Sequence, residues 1–376
     1  MTPLANFRKT RFTKILSLVL ALIFIVGTFA GCGGDKEEET TTVPTTQPTT
    51  VPTTSPYLSG SINPLTGEAG YDETLLKNRP VFVSVENHKD ARPQWGITSA
   101  DIVWEMEAEG GITRMLLMYA DYTRIPEKVG PTRSARHYFV DLAEGFDAIF
   151  VHFGYSTAAK KQLKAHAVNN INGMVDGAYF FRDKSRRKYG IEHTAYTTDE
   201  AIAKAIEKKG YRTEIKDEYA SPFMFTEEPR TLSGGACDEI TVSFSSSYTY
   251  KYTYDATRNV YLSTIKGKKF VDSEGTQQNF ENIIVCYTNI SNISGDQKGR
   301  VNFDLSKGKG VYVTNGTYEE ITWEKGDSKD MMKFYDVNGM ELVLNAGRTY
   351  IAIVDNDRES KNTILPTEPP STEAVQ

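Results

Sequence analysis

Residues 40–56 contain only Thr, Pro, Val, Gln and Ser, with Pro44, Pro48, Pro52 and Pro56 at every fourth position. Such a stretch has too little apolar surface to repay the entropy of ordering it, so it cannot join a core. It divides the 376 residues into a short leader and everything that folds. Fully extended, the 24 residues from Gly33 to Pro56 reach roughly 75 Å, which describes a stalk.

The leader has its own pattern. Arg8, Lys9, Arg11 and Lys14 precede an apolar run from Ile15 to Ala30, with no acidic residue before Asp35. A basic start, a short apolar stretch and small terminal residues describe an export signal. The run is short for a membrane span, which takes about 20 residues. It ends in Phe29-Ala30-Gly31-Cys32, which resembles a bacterial lipobox. That resemblance implies cleavage before Cys32 and diacylglyceryl attachment to its sulfur, a stable two-chain anchor. The expected partner is therefore the membrane, through the lipid, and the expected location is extracytoplasmic.

The formal charge is −6, from 43 basic and 49 acidic residues. Removing the leader takes its four basic residues, leaving 39 against 49, a net of −10. That excludes a nucleic-acid binder, which would be basic. It also excludes adhesion to an anionic membrane by charge. Three cysteines exclude a disulfide miniprotein.

The divisions expected are 1–31 signal, 32–60 acidic and Thr/Pro-rich stalk, 61–220 first domain, 235–356 second domain and 357–376 disordered tail. The first domain mixes strands and helices. Val81 to Val85 alternates like a half-buried strand, and Ser134 to Glu144 reads as a helix. Thr197-Thr198-Asp199-Glu200 opens a helix that Gly210 closes. After Gly210 strand-like segments dominate, with Asn315-Gly316 and Asn338-Gly339 placed as hairpin turns. The fold class expected is α+β, a mixed α/β N-terminal domain followed by a β-rich C-terminal domain.

Asn63-Pro64-Leu65-Thr66-Gly67, Ala91-Arg92-Pro93-Gln94, Glu109–Arg114 and Gly130–Arg136 occur in that order. Ile321-Thr322-Trp323, Phe334-Tyr335-Asp336 and Gly347-Arg348-Thr349-Tyr350 follow. Together these resemble the YerB-like family of bacterial lipoproteins over roughly residues 61–355. The resemblance implies a two-module extracytoplasmic lipoprotein and carries no biochemical activity with it.

The residues themselves suggest a site. Glu105, Glu107 and Glu109 alternate along one strand and are expected on one face. Arg133 and Arg136 flank a helix start, where positive charge opposes the dipole and calls for an anionic partner. That partner is either Glu105 or Glu109, giving a buried salt-bridge network, or a ligand held by Arg114, Arg133 and Arg136 with Asn87 and His88 at its rim. The candidate ligand residues are Asn87, His88, Arg92, Glu105, Glu109, Arg114, Arg133, Ser134 and Arg136. The preferred reading is noncatalytic binding of an anionic or cell-wall ligand at the envelope. The alternatives are a hydrolase using Glu105 and Glu109 as acid and base, and an adaptor for an envelope protein. Ser134 lacks the flanking glycines of a nucleophile elbow.

No cofactor or metal is expected, because His88, His137, His152, His166 and His193 show no close ligand spacing. His152, inside an apolar run, reads as a hydrogen-bonded core residue. Tyr248, Tyr250, Tyr252 and Tyr254 share a strand face, read as packing ahead of a glycan-stacking platform. Cys237 and Cys286 are a candidate disulfide after export. Closing that loop would add roughly 4 kcal/mol.

Overall fold

The computed structural model describes residues 61–366 except Ser221. The signal, Cys32, the whole stalk and the last ten residues lie outside the described residues.

In the first module, β1 (Val81–Glu86), β2 (Ile102–Glu109), β3 (Ile112–Tyr119), β4 (Ile149–His152) and β5 (Asn170–Asn172) alternate with three helices. These are α1 (His137–Gly145), α2 (Thr157–His166) and α3 (Asp199–Lys209). The second module supplies β6 (Glu239–Ser245), β7 (Tyr248–Asp255), β8 (Val260–Ile265), β9 (Asn282–Thr288) and β10 (Lys307–Thr314). It continues with β11 (Thr317–Glu324), β12 (Lys333–Tyr335) and β13 (Thr349–Asp355). The class is α+β, with a mixed α/β first module and a β-rich second one.

The two modules share one sheet. Its order is β12-β11-β10-β9-β13-β2-β3-β1-β4-β5, with Gly235–Ala236 added beside β11. The seam is β13, which runs parallel to β9 on one side and to β2 on the other. Ile351 lies opposite both Ile284 and Trp104. A smaller sheet built on β6, β7 and β8 covers one face, together with α3. Helices α1 and α2 cover the other face.

This two-sided cover explains β1. Its apolar residues divide between the two cores, Val81, Val83 and Val85 facing one and Phe82 the other. The strand is buried throughout rather than half-buried, as happens where a sheet is covered on both faces.

Helix α3 follows its caps. The Thr198 hydroxyl accepts from Ala201 N, and Gly210 takes the left-handed conformation at φ 60°. Helix α1 starts later than Ser134, because Arg133 N donates to Ser84 O and Ala135 N to Gly154 O, keeping that segment extended. Asn315 and Gly316, both at positive φ, make the two-residue hairpin between β10 and β11.

The expected tail also changes. Asn356–Lys361 forms a 3-10 turn capped by Asp355, and Ile364–Leu365 pairs with β6. The open edge of the small sheet holds the chain to residue 365, eight residues beyond the expected start of disorder.

Candidate functional site

The expected site residues separate into three places. The first is sealed in the core. Glu105 is fully buried and accepts hydrogen bonds from Asn87 Nδ2 at 2.8 Å, Thr113 Oγ1 at 2.5 Å and Tyr250 OH at 2.9 Å on one oxygen. Tyr350 OH donates to the other oxygen at 2.8 Å. Arg92 Nε and Gln94 Nε2 both donate to Asn87 Oδ1 at 2.9 Å, and the Arg92 guanidinium lies over the rings of Tyr248 and Phe270. Burial pushes the Glu105 carboxyl upward, against the pull of its hydrogen bonds. This cluster joins the two sheets, with Glu105, Asn87 and Gln94 buried and Arg92 partly exposed at its edge.

The tyrosines complete it. Tyr248, Tyr250 and Tyr252 are buried in the core between the sheets, and Tyr254 packs against it. They are core, as the packing reading expects.

The second place is on the opposite face of the sheet. A β-bulge between Glu107 and Glu109 shifts the register of β2 against β3. Glu109 therefore leaves the face of Glu105 and meets Arg114 at 3.0 Å, with Arg136 on its other oxygen. The expectation that the three glutamates form one row fails here, because a bulge inverts alternation. Arg114 is 2% exposed and also donates to Ser134 O at 2.7 Å. Arg136 donates to Ala135 O at 3.1 Å. The second module covers this network by pairing Glu109 with Arg300 and Gly110 N with Gly299 O. Glu109 is thus the partner of Arg114 and Arg136, and Glu105 is not. Carboxylates on opposite faces of a sheet do not flank one glycosidic bond.

The third place is open. Arg133 and Ser134 line a cleft of about 400 Å³ with Tyr155, Met174, Arg182 and Ile191, and with one carboxylate, Glu192. Arg133 Nε pairs with Glu86 Oε1 at 2.9 Å, and no hydrogen bond or ion pair from a described residue reaches its Nη nitrogens. The Ser134 hydroxyl donates to Phe153 O at 3.2 Å. Met174 and Ile191 are 68% and 56% exposed, giving the cleft an apolar wall. Behind it, Glu86 Oε2 meets His193 Nδ1 at 2.9 Å, and the His193 ring stacks on His88. Sequence spacing had no means of bringing His193 to His88. Only the return of the segment 183–197 along the first module does so, through Asp183 N to Thr194 O and Thr132 N to Ala195 O.

A further concavity, about 840 Å³, holds Asp141, Glu144, His166, Lys325 and Ser328 where α1 and α2 meet the second module. Glu144 Oε2 and Ser328 Oγ both approach the same His166 nitrogen, Nδ1, at 2.5 and 2.7 Å. A relay needs acid and nucleophile on opposite ring nitrogens, so this is no triad. Lys325 Nζ is spent on the carbonyls of Asp327, Ser328 and Asp330.

The cysteines stay apart. Cys237 and Cys286 are buried free thiols in the cores on opposite faces of the large sheet. The candidate disulfide is not formed, since the sheet lies between them. His152 is fully buried, with Nδ1 2.7 Å from Gly154 O and Nε2 3.2 Å from Asn170 Oδ1.

Comparison with known proteins agrees with this two-part architecture. Residues 65–212 match the DUF3048 N-terminal domain and residues 240–351 the DUF3048 C-terminal domain, both described as protein of unknown function. The chain belongs to the DUF3048 family. A relative, "Putative lipoprotein YerB" of Bacillus subtilis (strain 168), is 37% identical over 297 residues, covering 77% of this chain and 85% of that protein. The crystal structure of the YerB protein from Bacillus subtilis superposes with a TM-score of 0.66 at 36% identity. It covers 77% of this chain and 95% of that one. The DUF3048 pair of modules is the arrangement that β13 fuses into one sheet.

Proposed function

We propose that this DUF3048 protein is a lipid-anchored extracytoplasmic protein that binds an anionic envelope ligand, without catalysis, in the cleft beside Arg133. The lipoprotein part draws on the leader ending at Cys32 and on the name of the Bacillus relative. Among the described residues, no helix is long and apolar enough to cross a membrane.

The observation that carries the binding reading is the state of Arg133. Glu86 holds it at Nε, which aims the guanidinium without consuming its two Nη ends. Those ends suit a carboxylate or phosphate. Arg182 adds a second cation, itself oriented by Ile191 O and Thr194 Oγ1. The apolar wall of Tyr155, Met174 and Ile191 suits a ligand with an uncharged body beside its anionic group. By contrast, Arg114 and Arg136 are occupied by Glu109.

Calorimetry with soluble muropeptides and with glycerol phosphate oligomers tests the reading. At least one should bind, and Arg133→Ala should abolish the heat while Ser328→Ala, in the other concavity, leaves it unchanged. Absence of binding by every anion, or equal binding by Arg133→Ala, would overturn it.

A further inference from the structure

We propose that His88, Asp90 and His193 form a binding site for a divalent transition-metal ion of the zinc type. Each offers one ligating atom, and these atoms lie within 4.8 Å of one another. Two of them are already at ligand spacing: His88 Nδ1 is 3.5 Å from Asp90 Oδ2. Ligands about 2.0–2.1 Å from a tetrahedral zinc sit roughly 3.4 Å apart. The contact this ion would displace is weak, a 3.3 Å hydrogen bond from Asp90 N to His88 Nδ1.

The third ligand is prepared from behind. His193 Nδ1 faces Glu86 Oε2 at 2.9 Å, and Arg133 holds the other oxygen of the same carboxylate at 2.9 Å. A histidine whose Nδ1–H donates to a fixed carboxylate carries its lone pair on Nε2 and is held in one orientation. This is the outer-shell arrangement common at metal-bound imidazoles. The two rings lie parallel, 7° apart, with centroids separated by 5.2 Å. His193 is 6% exposed, whereas His88 and Asp90 are partly open to solvent on the short turn Lys89–Ala91 and its cap. The set therefore combines one anchored ligand with two that can close by the remaining distance, and solvent provides the entry path.

Two borderline imidazole nitrogens beside one hard carboxylate oxygen suit Zn²⁺ ahead of Ca²⁺ or Mg²⁺, which take all-oxygen ligand sets. Three protein ligands leave a fourth position open. A simple surface His–Asp pair would not explain the buried second histidine or the carboxylate positioned behind it.

The test uses the mature, tag-free full chain, stripped with chelator and titrated with Zn²⁺ in the absence of any anionic ligand. A negative result therefore leaves the Arg133 cleft reading standing. One zinc per chain should bind. His88→Ala and Asp90→Asn, both at partly exposed positions, should each weaken it at least about tenfold, and Glu86→Gln by roughly ten- to a hundredfold. Cobalt should give the visible bands of a low-coordinate nitrogen and oxygen site, and His88→Ala should lose them. Failure of the folded wild type to retain zinc, or retention unchanged in His88→Ala and Asp90→Asn, would overturn the proposal. Should His193→Ala not fold, those two variants carry the result, with thermal melts verifying their folds.

Discussion

Glu105 and Glu109, four residues apart on β2, face opposite sides of the same sheet. Glu105 takes hydrogen bonds from Tyr250 and Tyr350 in the core between the sheets, and Glu109 pairs with Arg114 and Arg136 on the helical side. The bulge between Glu107 and Glu109 inverts the alternation. One strand thereby anchors two separate networks, one fully buried at Glu105 and one partly buried at Glu109.

Removing the Glu105 carboxylate leaves four buried donors without their acceptor. Glu105→Ala should cost about 3–5 kcal/mol by denaturant unfolding. Glu105→Gln isolates the pH effect. Burial raises the folded value of this carboxyl, so its contribution is full below the ordinary carboxylate range and falls as pH rises through the raised value. The stability of Glu105→Gln relative to wild type should therefore increase with pH, and a flat difference would contradict the assignment.

His152 should impose the opposite dependence. Burial lowers its folded value from 6.5 to about 4. Its contribution is then complete above 6.5 and lost as pH falls toward 4, on the order of 3 kcal/mol at most. The unfolding free energy should fall more steeply with decreasing pH over that interval in wild type than in His152→Asn.

Both arginines should contribute to stability. Arg114→Ala leaves the partly exposed Glu109 carboxylate with Arg136 alone and opens space where a buried guanidinium stood, at a cost of about 1–3 kcal/mol. Arg133 is partly exposed, but its partner Glu86 is buried and keeps only His193, so Arg133→Ala should cost about 1–3 kcal/mol. Thermal melts of the two variants compare them directly.

Cys237 and Cys286 should be inert. Burial raises both thiols, Cys237 to about 12, and a protonated thiol is a poor nucleophile. Native protein should resist thiol reagents that label both cysteines after denaturation. The masses of the reduced and non-reduced chains should agree with two free thiols.

Local chemistry made much of the fold readable. Thr198 and Gly210 bound α3 because a hydroxyl acceptor and a left-handed glycine satisfy a helix's loose ends wherever it packs. Asn315-Gly316 turns a hairpin because both residues tolerate positive φ. The tyrosine alternation of β7 reads directly as one buried face. The candidate site was less legible. Arg133, Ser134, Glu109, Arg114 and Arg136 stood out by residue type, but which of them share a partner depends on a bulge and a cover from the second module. His193 gave no signal at all, since its meeting with His88 is a long-range contact.

By itself the sequence carried the basic and apolar pattern ahead of Cys32, the Thr/Pro composition of residues 40–56, the helix caps and the change from mixed to β-rich character after Gly210. These depend on composition and on interactions within a few residues, which the chain carries into any packing. Only the tertiary structure decided that β13 would enter between β9 and β2 and fuse the modules. It also sealed Glu105, left Arg133 at an open cleft and stacked His88 on His193. Those outcomes rest on pairings between distant segments, whose free energy comes from surface buried jointly and cannot be assigned to either segment alone.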